Sequence, residues 1–169
     1  MTIIAWRDGV IAADTGHWQG PIDVGPVQKL KRLADGTIYG CAGDCSDIRE
    51  FEEWADMGFP TVEKPPKFED FAAVLMKPDG TVWQTDGLRP PYAMPGEFGA
   101  VGIAERFALG CLAMGASPEQ AVAKAIQYCA YCSGEVVVVS LDDDGVAEPD
   151  EPAVSVVDGR DWLRKRGLA

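Results

Sequence analysis

Apolar and polar positions alternate almost from the first residue. Residues 2–6 read as a strand, Asp8-Gly9 as a tight turn and residues 10–14 as the returning strand. Residues 15–25, which carry glycines and a proline, read as a loop. In residues 27–33, Val27, Lys29, Lys31 and Leu33 share one face and Gln28, Leu30 and Arg32 the other, a strand pattern. Ala34-Asp35-Gly36 turns the chain into a short strand at 37–41, which closes on Gly43-Asp44. Residues 44–58 read as a helix: Ile48, Phe51 and Ala55 fall on one face, Trp54 lies beside them, and Gly58 ends the run. Three prolines in 59–67 exclude a regular element there. Strands at 71–76 and 81–85 flank the hairpin signal Pro78-Asp79-Gly80.

Residues 86–96 read as loop, 98–103 as a strand and 105–114 as a helix stopped by Gly115. Ser117-Pro118-Glu119-Gln120 starts the next helix, with Ser as cap and Pro in the first turn, and that helix runs to about residue 128. Val136 to Val139, within 135–141, has the continuous apolar character of a buried central strand. An edge strand at 154–157 and a short terminal helix at 158–166 complete the pattern. The order is strands, one helix, strands, two helices, strands. It predicts stacked sheets with helical outer layers. With no internal repeat or dividing linker, residues 1–169 are expected to form a single domain.

Composition narrows the function classes. A chain that is 47% hydrophobic and 25% charged can bury a core. The net charge of −12 argues against nucleic acid or an anionic membrane as partner. The acid is partly local, in residues 142–151, whose six carboxylates read as a solvated loop and lack calcium-loop spacing. No apolar run is long enough to span a membrane, and the first residues lack the pattern of a signal peptide. A soluble, cytoplasmic protein is expected. Five irregularly spaced cysteines do not form a disulfide framework. Cys129 and Cys132 make a C-x-x-C, and Cys41 and Cys45 lie near the glycine turn, but the spacing is not that of a zinc site, so no metal or other cofactor is expected. His17 is the only histidine and lies beside Trp18 in the expected loop, which argues against a histidine-based protease triad.

Thr2 is the clearest chemical candidate. Its small side chain favours removal of Met1, which would leave a hydroxyl and a free α-amine on one residue. An amine with an ordinary pKa of about 7.7–8.0 can serve as general base for its own hydroxyl. An attached methionine would block that amine.

Four segments carry a family resemblance: Thr2 to Ala5 with Arg7 to Thr15; Lys29-Leu30-Lys31-Arg32-Leu33; Ile38 to Asp44; and Phe107 to Gly110 through Ser117, then Ser133 to Val136. In this order the chain resembles proteasome β subunits of the HslV type, a family of N-terminal-nucleophile hydrolases. The resemblance implies an α+β, four-layer αββα sandwich. It implies Thr2 as nucleophile, Lys29 as modulator of its pKa, Asp14 as the partner that fixes Lys29, and the Gly40 N–H as oxyanion donor. It further implies a threonine peptidase acting on polypeptide, a homo-oligomeric ring and an ATPase unfoldase as partner. The chain departs from the family's pattern at three auxiliary positions, where Ile103 replaces a serine, Cys129 an aspartate and Cys132 a hydroxyl residue. The helical hairpin after Gly43 is also cut to about one helix. These departures leave a second reading open, a catalytically silent assembly or structural protein, phage-encoded and located in a virion or infected cell. On the first helix, Ile48, Phe51, Trp54, Ala55 and Met57 spread wider than one sheet-facing stripe, so Trp54 or Phe59 is expected in a contact between subunits.

Overall fold

A computed structural model describes residues 1–57, 71–86 and 91–143. The first hairpin joins β1 (Ile3–Arg7) to β2 (Val10–Asp14) in the register Ile4↔Ala13 to Arg7↔Val10. Asp8 and Gly9 both take positive φ, 50° and 74°, the two-residue turn geometry that matches strand twist. A ribbon of β3 (Gly16–Gln19) and β4 (Ile22–Pro26) follows. Next come β5 (Leu30–Arg32), β6 (Ile38–Gly43), α1 (Cys45–Asp56), β7 (Phe71–Met76), β8 (Val82–Thr85) and β9 (Tyr92–Ala93). The chain continues through β10 (Phe98–Gly102), α2 (Glu105–Ala113), α3 (Pro118–Tyr128) and β11 (Val136–Ser140). One antiparallel sheet has the order β10-β1-β2-β11 and another the order β5-β6-β7-β8-β9.

The side-chain period of a strand builds the layers. In β1, Ile4 and Trp6 point between the sheets, where with Ile11 and Ala13 they meet Leu30, Ile38, Val74 and Met76. Ile3 and Ala5 point the other way, where with Ala12 and Ala100 they meet Ala108 and Leu112 of α2 and Ala121, Val122 and Ala125 of α3. Alanine on both partners lets the helices sit close to the sheet. On the far side, Phe51 and Ala55 of α1 pack on Tyr39, Cys41, Ala73 and Leu75. The result is helix pair, sheet, sheet, helix: the αββα sandwich. Cutting Leu112 to Ala would cost about 2–5 kcal/mol, because its site is fully enclosed.

The helix boundaries follow their signals. Asp44 caps α1 by accepting from the Ser46 N–H at 2.8 Å. Ser117 and Gln120 form a reciprocal capping box on α3. Gly115 takes φ 92° after α2.

Several expectations change. Residues 15–25 are not simply loop: they hold the β3–β4 ribbon, whose glycines sit at its turn and bulge rather than breaking it. The strand expected over 27–33 is confined to Leu30–Arg32. The loop expected over 86–96 includes the two-residue strand β9, paired to β8 at the sheet's edge. Among the described residues β11 is an edge strand of its sheet, not a central one; Val136, Val137 and Val139 are only partly buried and Val138 is exposed. Trp54 does not form an exposed patch. It is half-buried, edge-on to Phe51 at 6.0 Å between ring centroids, and Met57 is the exposed apolar residue at that end of α1. Phe59 and the elements expected at 154–157 and 158–166 lie outside the described residues.

Candidate active site

The first hairpin and the chain leading into β5 deliver the central group. Asp14 ends β2 and is fully buried. Its Oδ1 accepts from the Ile3 N–H at 2.9 Å and from Lys29 Nζ at 2.8 Å. Its Oδ2 accepts from the Ser133 N–H at 3.4 Å. Lys29 Nζ also donates to the Met1 carbonyl oxygen at 2.8 Å. The ammonium therefore sits between a buried carboxylate and the carbonyl of the peptide bond that precedes Thr2. Asp14 and Lys29 are thus brought together beside the peptide bond that precedes Thr2, the grouping that the family resemblance implies.

Thr2 is buried, and its backbone is fixed from the β10 side. Its carbonyl accepts from the Ile103 N–H at 2.8 Å. Gly102 makes this approach possible: it has φ 106°, and a Cβ there would stand 2.0 Å from the Thr2 oxygen. Ile103 thus contributes its backbone, while its side chain is exposed.

Electrostatics set the charge states. Burial lowers the pKa of Lys29, and the adjacent Asp14 carboxylate works against that fall. Burial and then the Lys29 ammonium push the α-amine of Met1 below its ordinary 8.0. Cys132 is buried near Asp14; burial first and that carboxylate second push its thiol up to about 12, so it is a neutral thiol at physiological pH. Burial raises the Cys41 thiol well above its usual value.

A cleft of about 270 Å³ opens beside Thr2 and Lys29. Gly16, His17 and Trp18 of β3 line it together with Cys41, Gly43 and Cys45. Trp6 is not part of it, since its ring lies in the core between the sheets. Gly40 does not reach the cleft either. A Cβ on Gly40 would stand 2.7 Å from Leu30 and 2.9 Å from Ile4, so this glycine is a close-packing point between the sheets. Leu33 N–H bonds to Thr37 O, and counting the β5–β6 register from there turns the polar groups of Gly40 toward Val74. Those of Cys41 turn toward the Lys29 side. Of the β6 residues, Cys41 and Gly43 line the cleft.

Ser133 and His17 acquire partners that the sequence did not reveal. Ser133 Oγ accepts from Trp18 Nε1 at 3.2 Å and donates to Asp23 Oδ2 at 3.1 Å, while its carbonyl accepts from the Gly16 N–H at 2.8 Å. It locks β3 against the segment before β11, a contact 110 or more residues apart in sequence. His17 is not isolated: its Nε2 stands 3.5 Å from Cys45 Sγ. Among the described residues, no group of three or more His, Cys, Asp or Glu side chains is arranged to hold a metal ion.

No protein-family model matches the sequence, and no curated protein matches it at a significant level. Solved structures do. Thiobacillus denitrificans BPH superposes with a TM-score of 0.58 at 17% identity, over 85% of this chain and 99% of that one. The same protein in complex with epoxomicin gives 0.58 at 17% identity, over 83% and 98%. The eukaryotic HslV of Trypanosoma brucei gives 0.58 at 16% identity, over 82% and 98%. The chain has the proteasome-type αββα fold. Its alignment with these HslV-type structures covers almost the whole of each, so the resemblance extends to the full sandwich rather than to one shared hairpin. Among the described residues, no helix is long and apolar enough to cross a membrane.

Proposed function

We propose that the protein is an N-terminal-nucleophile amide hydrolase, a threonine peptidase built on one domain spanning residues 1–169. The observation that carries this reading is the Lys29 ammonium, held 2.8 Å from both the Asp14 carboxylate and the carbonyl of the Met1–Thr2 bond at the edge of a cleft. Removal of Met1 frees one Lys29 donor and creates the α-amine on Thr2. The amine then takes the hydroxyl proton, the Thr2 oxygen adds to the substrate carbonyl, and the amine returns the proton to the leaving group. A water molecule deacylates the ester by the reverse path. Lys29 favours the developing alkoxide and, as a neighbouring cation, keeps the amine neutral. Asp14 orients Lys29. The oxyanion donor in this reading is the Cys41 N–H rather than that of Gly40, because Cys41 lines the cleft.

Polypeptide is the proposed substrate. The HslV-type likeness supports a homo-oligomer whose ring encloses the site, with an ATPase unfoldase as a candidate partner and a cytoplasmic location. The complex of the Thiobacillus protein with epoxomicin suggests the test: expose the Met1-free protein to an epoxyketone peptide and measure intact mass. One adduct, lost in Thr2→Ala, is the expected outcome. A Met1-free protein that stays unmodified at millimolar reagent would favour a silent assembly protein, which the replacement of auxiliary hydroxyl positions by Ile103 and Cys132 also supports.

A further inference from the structure

The mechanism above leaves the contact between His17 and Cys45 unused. Cys45 is the first residue of α1, exposed, and directed into the cleft. His17 comes from β3. Gly16, His17 and Trp18 of β3 all line the cleft, and the β3–β4 register shifts between His17 and Trp18 through the extra residue Val24 on β4. The backbone beneath His17 is pinned by Thr15 N–H to Glu135 O at 3.0 Å and Gly16 N–H to Ser133 O at 2.8 Å. Gly16 has no room for a side chain, since a Cβ would stand 2.1 Å from Ser133 Oγ. The imidazole is thus carried on a fixed platform, with Nε2 3.5 Å from the sulfur.

We propose that Cys45 and His17 form a second nucleophilic centre in this cleft, a thiol–imidazole pair that accepts acyl groups from peptide amides or esters. With its proton on Nδ1, His17 takes the thiol proton at Nε2. The sulfur adds to the substrate carbonyl carbon, the C–N bond breaks, and the leaving amine takes that proton from His17. Water then adds to the thioester with its proton passing to His17; the C–S bond breaks and the proton returns to sulfur. The sum is amide plus water to acid plus amine, with no other reactant. This chemistry needs neither the Thr2 hydroxyl nor the removal of Met1, which separates it from the threonine reading.

Two measurements test it on the full-length protein. The first is iodoacetamide alkylation at pH 7, followed by peptide mapping so that Cys45 is read apart from the other four cysteines. The expected rate at Cys45 is higher in wild type than in both His17→Ala and His17→Gln by about tenfold or more. Equal rates in all three proteins would overturn the pair. The second is release of aminocoumarin from an acetylated peptidyl aminocoumarin amide by the Thr2→Ala protein. Release that disappears in Thr2→Ala/Cys45→Ser is the expected result. A folded Thr2→Ala protein that releases none would overturn the acyl-transfer role, whatever the outcome at Thr2 itself.

Discussion

Replacing Lys29 by Met isolates the energetic core of the site. Methionine keeps most of the aliphatic stem and removes the ammonium. Asp14 is then left fully buried and charged, with the Ile3 N–H at 2.9 Å and the longer Ser133 N–H at 3.4 Å as remaining donors. Breaking a buried ion pair from one side costs about 3–5 kcal/mol. The two retained N–H donors argue for the lower end, about 3 kcal/mol. With a urea m-value of about 1–3 kcal/mol/M for a small protein, the unfolding midpoint should fall by roughly 1–3 M. The fitted slope should not change, because the pair does not alter the surface exposed on unfolding. Asp14→Asn removes the charge but keeps an acceptor for Ile3, and Lys29 sits at the cleft, where its ammonium can turn to water. That variant should lose less. The double variant Asp14→Asn/Lys29→Met should be more stable than Lys29→Met alone, since the stranded charge is gone. Urea denaturation followed by tryptophan fluorescence measures all four proteins. A loss below about 1 kcal/mol in Lys29→Met, the range of exposed ion pairs, would refute the claim that the pair is buried and structural.

Three further outcomes follow from the same geometry. The Met1 α-amine should titrate below 8.0, and Lys29→Met should raise its pKa, because the lysine cation is one cause of the lowering; NMR of the isotopically dimethylated amine reads both, provided the label leaves the fold intact. At pH 8 in the native protein Cys132, with its thiol pushed up to about 12, should resist iodoacetamide and react only once urea unfolds the chain; modification of native Cys132 at the rate of Cys45 would contradict its burial. Self-association should use the apolar groups left exposed, which include Phe107 and Tyr128, paired at 6.2 Å on α2 and α3, together with Ile103. Light scattering should detect an oligomer that Phe107→Glu dissociates and that added salt strengthens by screening the charge of −12 per chain; a wild-type monomer in both low and high salt would remove the ring.

The parts legible in the sequence are those that local physics fixes. Asp8-Gly9 names a hairpin because few residues tolerate two positive φ values in succession. Ser117-Pro118 names a helix start because the cap and the missing N–H both suit it. The pairing of Asp14 with Lys29 came from the family resemblance, and the hairpin geometry explains why it works: β2 ends at Asp14 where the chain enters β5. What was not legible depends on long-range register. Gly40 reads as an oxyanion glycine by motif, yet a one-residue phase difference along β6 turns it to Leu30 and Ile4 and brings Cys41 to the cleft. His17 looked isolated because its partner, Cys45, is 28 residues away and no local pattern announces the contact. Trp54 was expected at a subunit contact because the apolar residues of α1 spread wider than one sheet-facing stripe, but the Trp54 ring packs edge-on to Phe51 and joins the cluster beneath α1.

The departures at Ile103 and Cys132 can be weighed by what each position does here. Ile103 still serves the backbone of Thr2: its N–H holds the Thr2 carbonyl, and Gly102 gives the room for it. A hydroxyl is absent from that side chain, yet the positioning of Thr2 does not need one. Cys132 is different. It brings a neutral thiol close to Asp14 and Lys29, a weak hydrogen-bonding group where a hydroxyl would bond firmly. Ser133, the next residue, partly compensates by giving its N–H to Asp14 and its hydroxyl to the Trp18–Asp23 contact that steadies β3. Replacing Cys132 by Ser is therefore the informative substitution. If the threonine mechanism operates, the hydroxyl should strengthen the network around Asp14 and raise kcat with little change in KM, because it acts on the reacting end of the site and not on the cleft walls. If the protein is a silent relative, Cys132→Ser should change stability alone, and a peptide assay with Met1-free protein would show no turnover before or after the change.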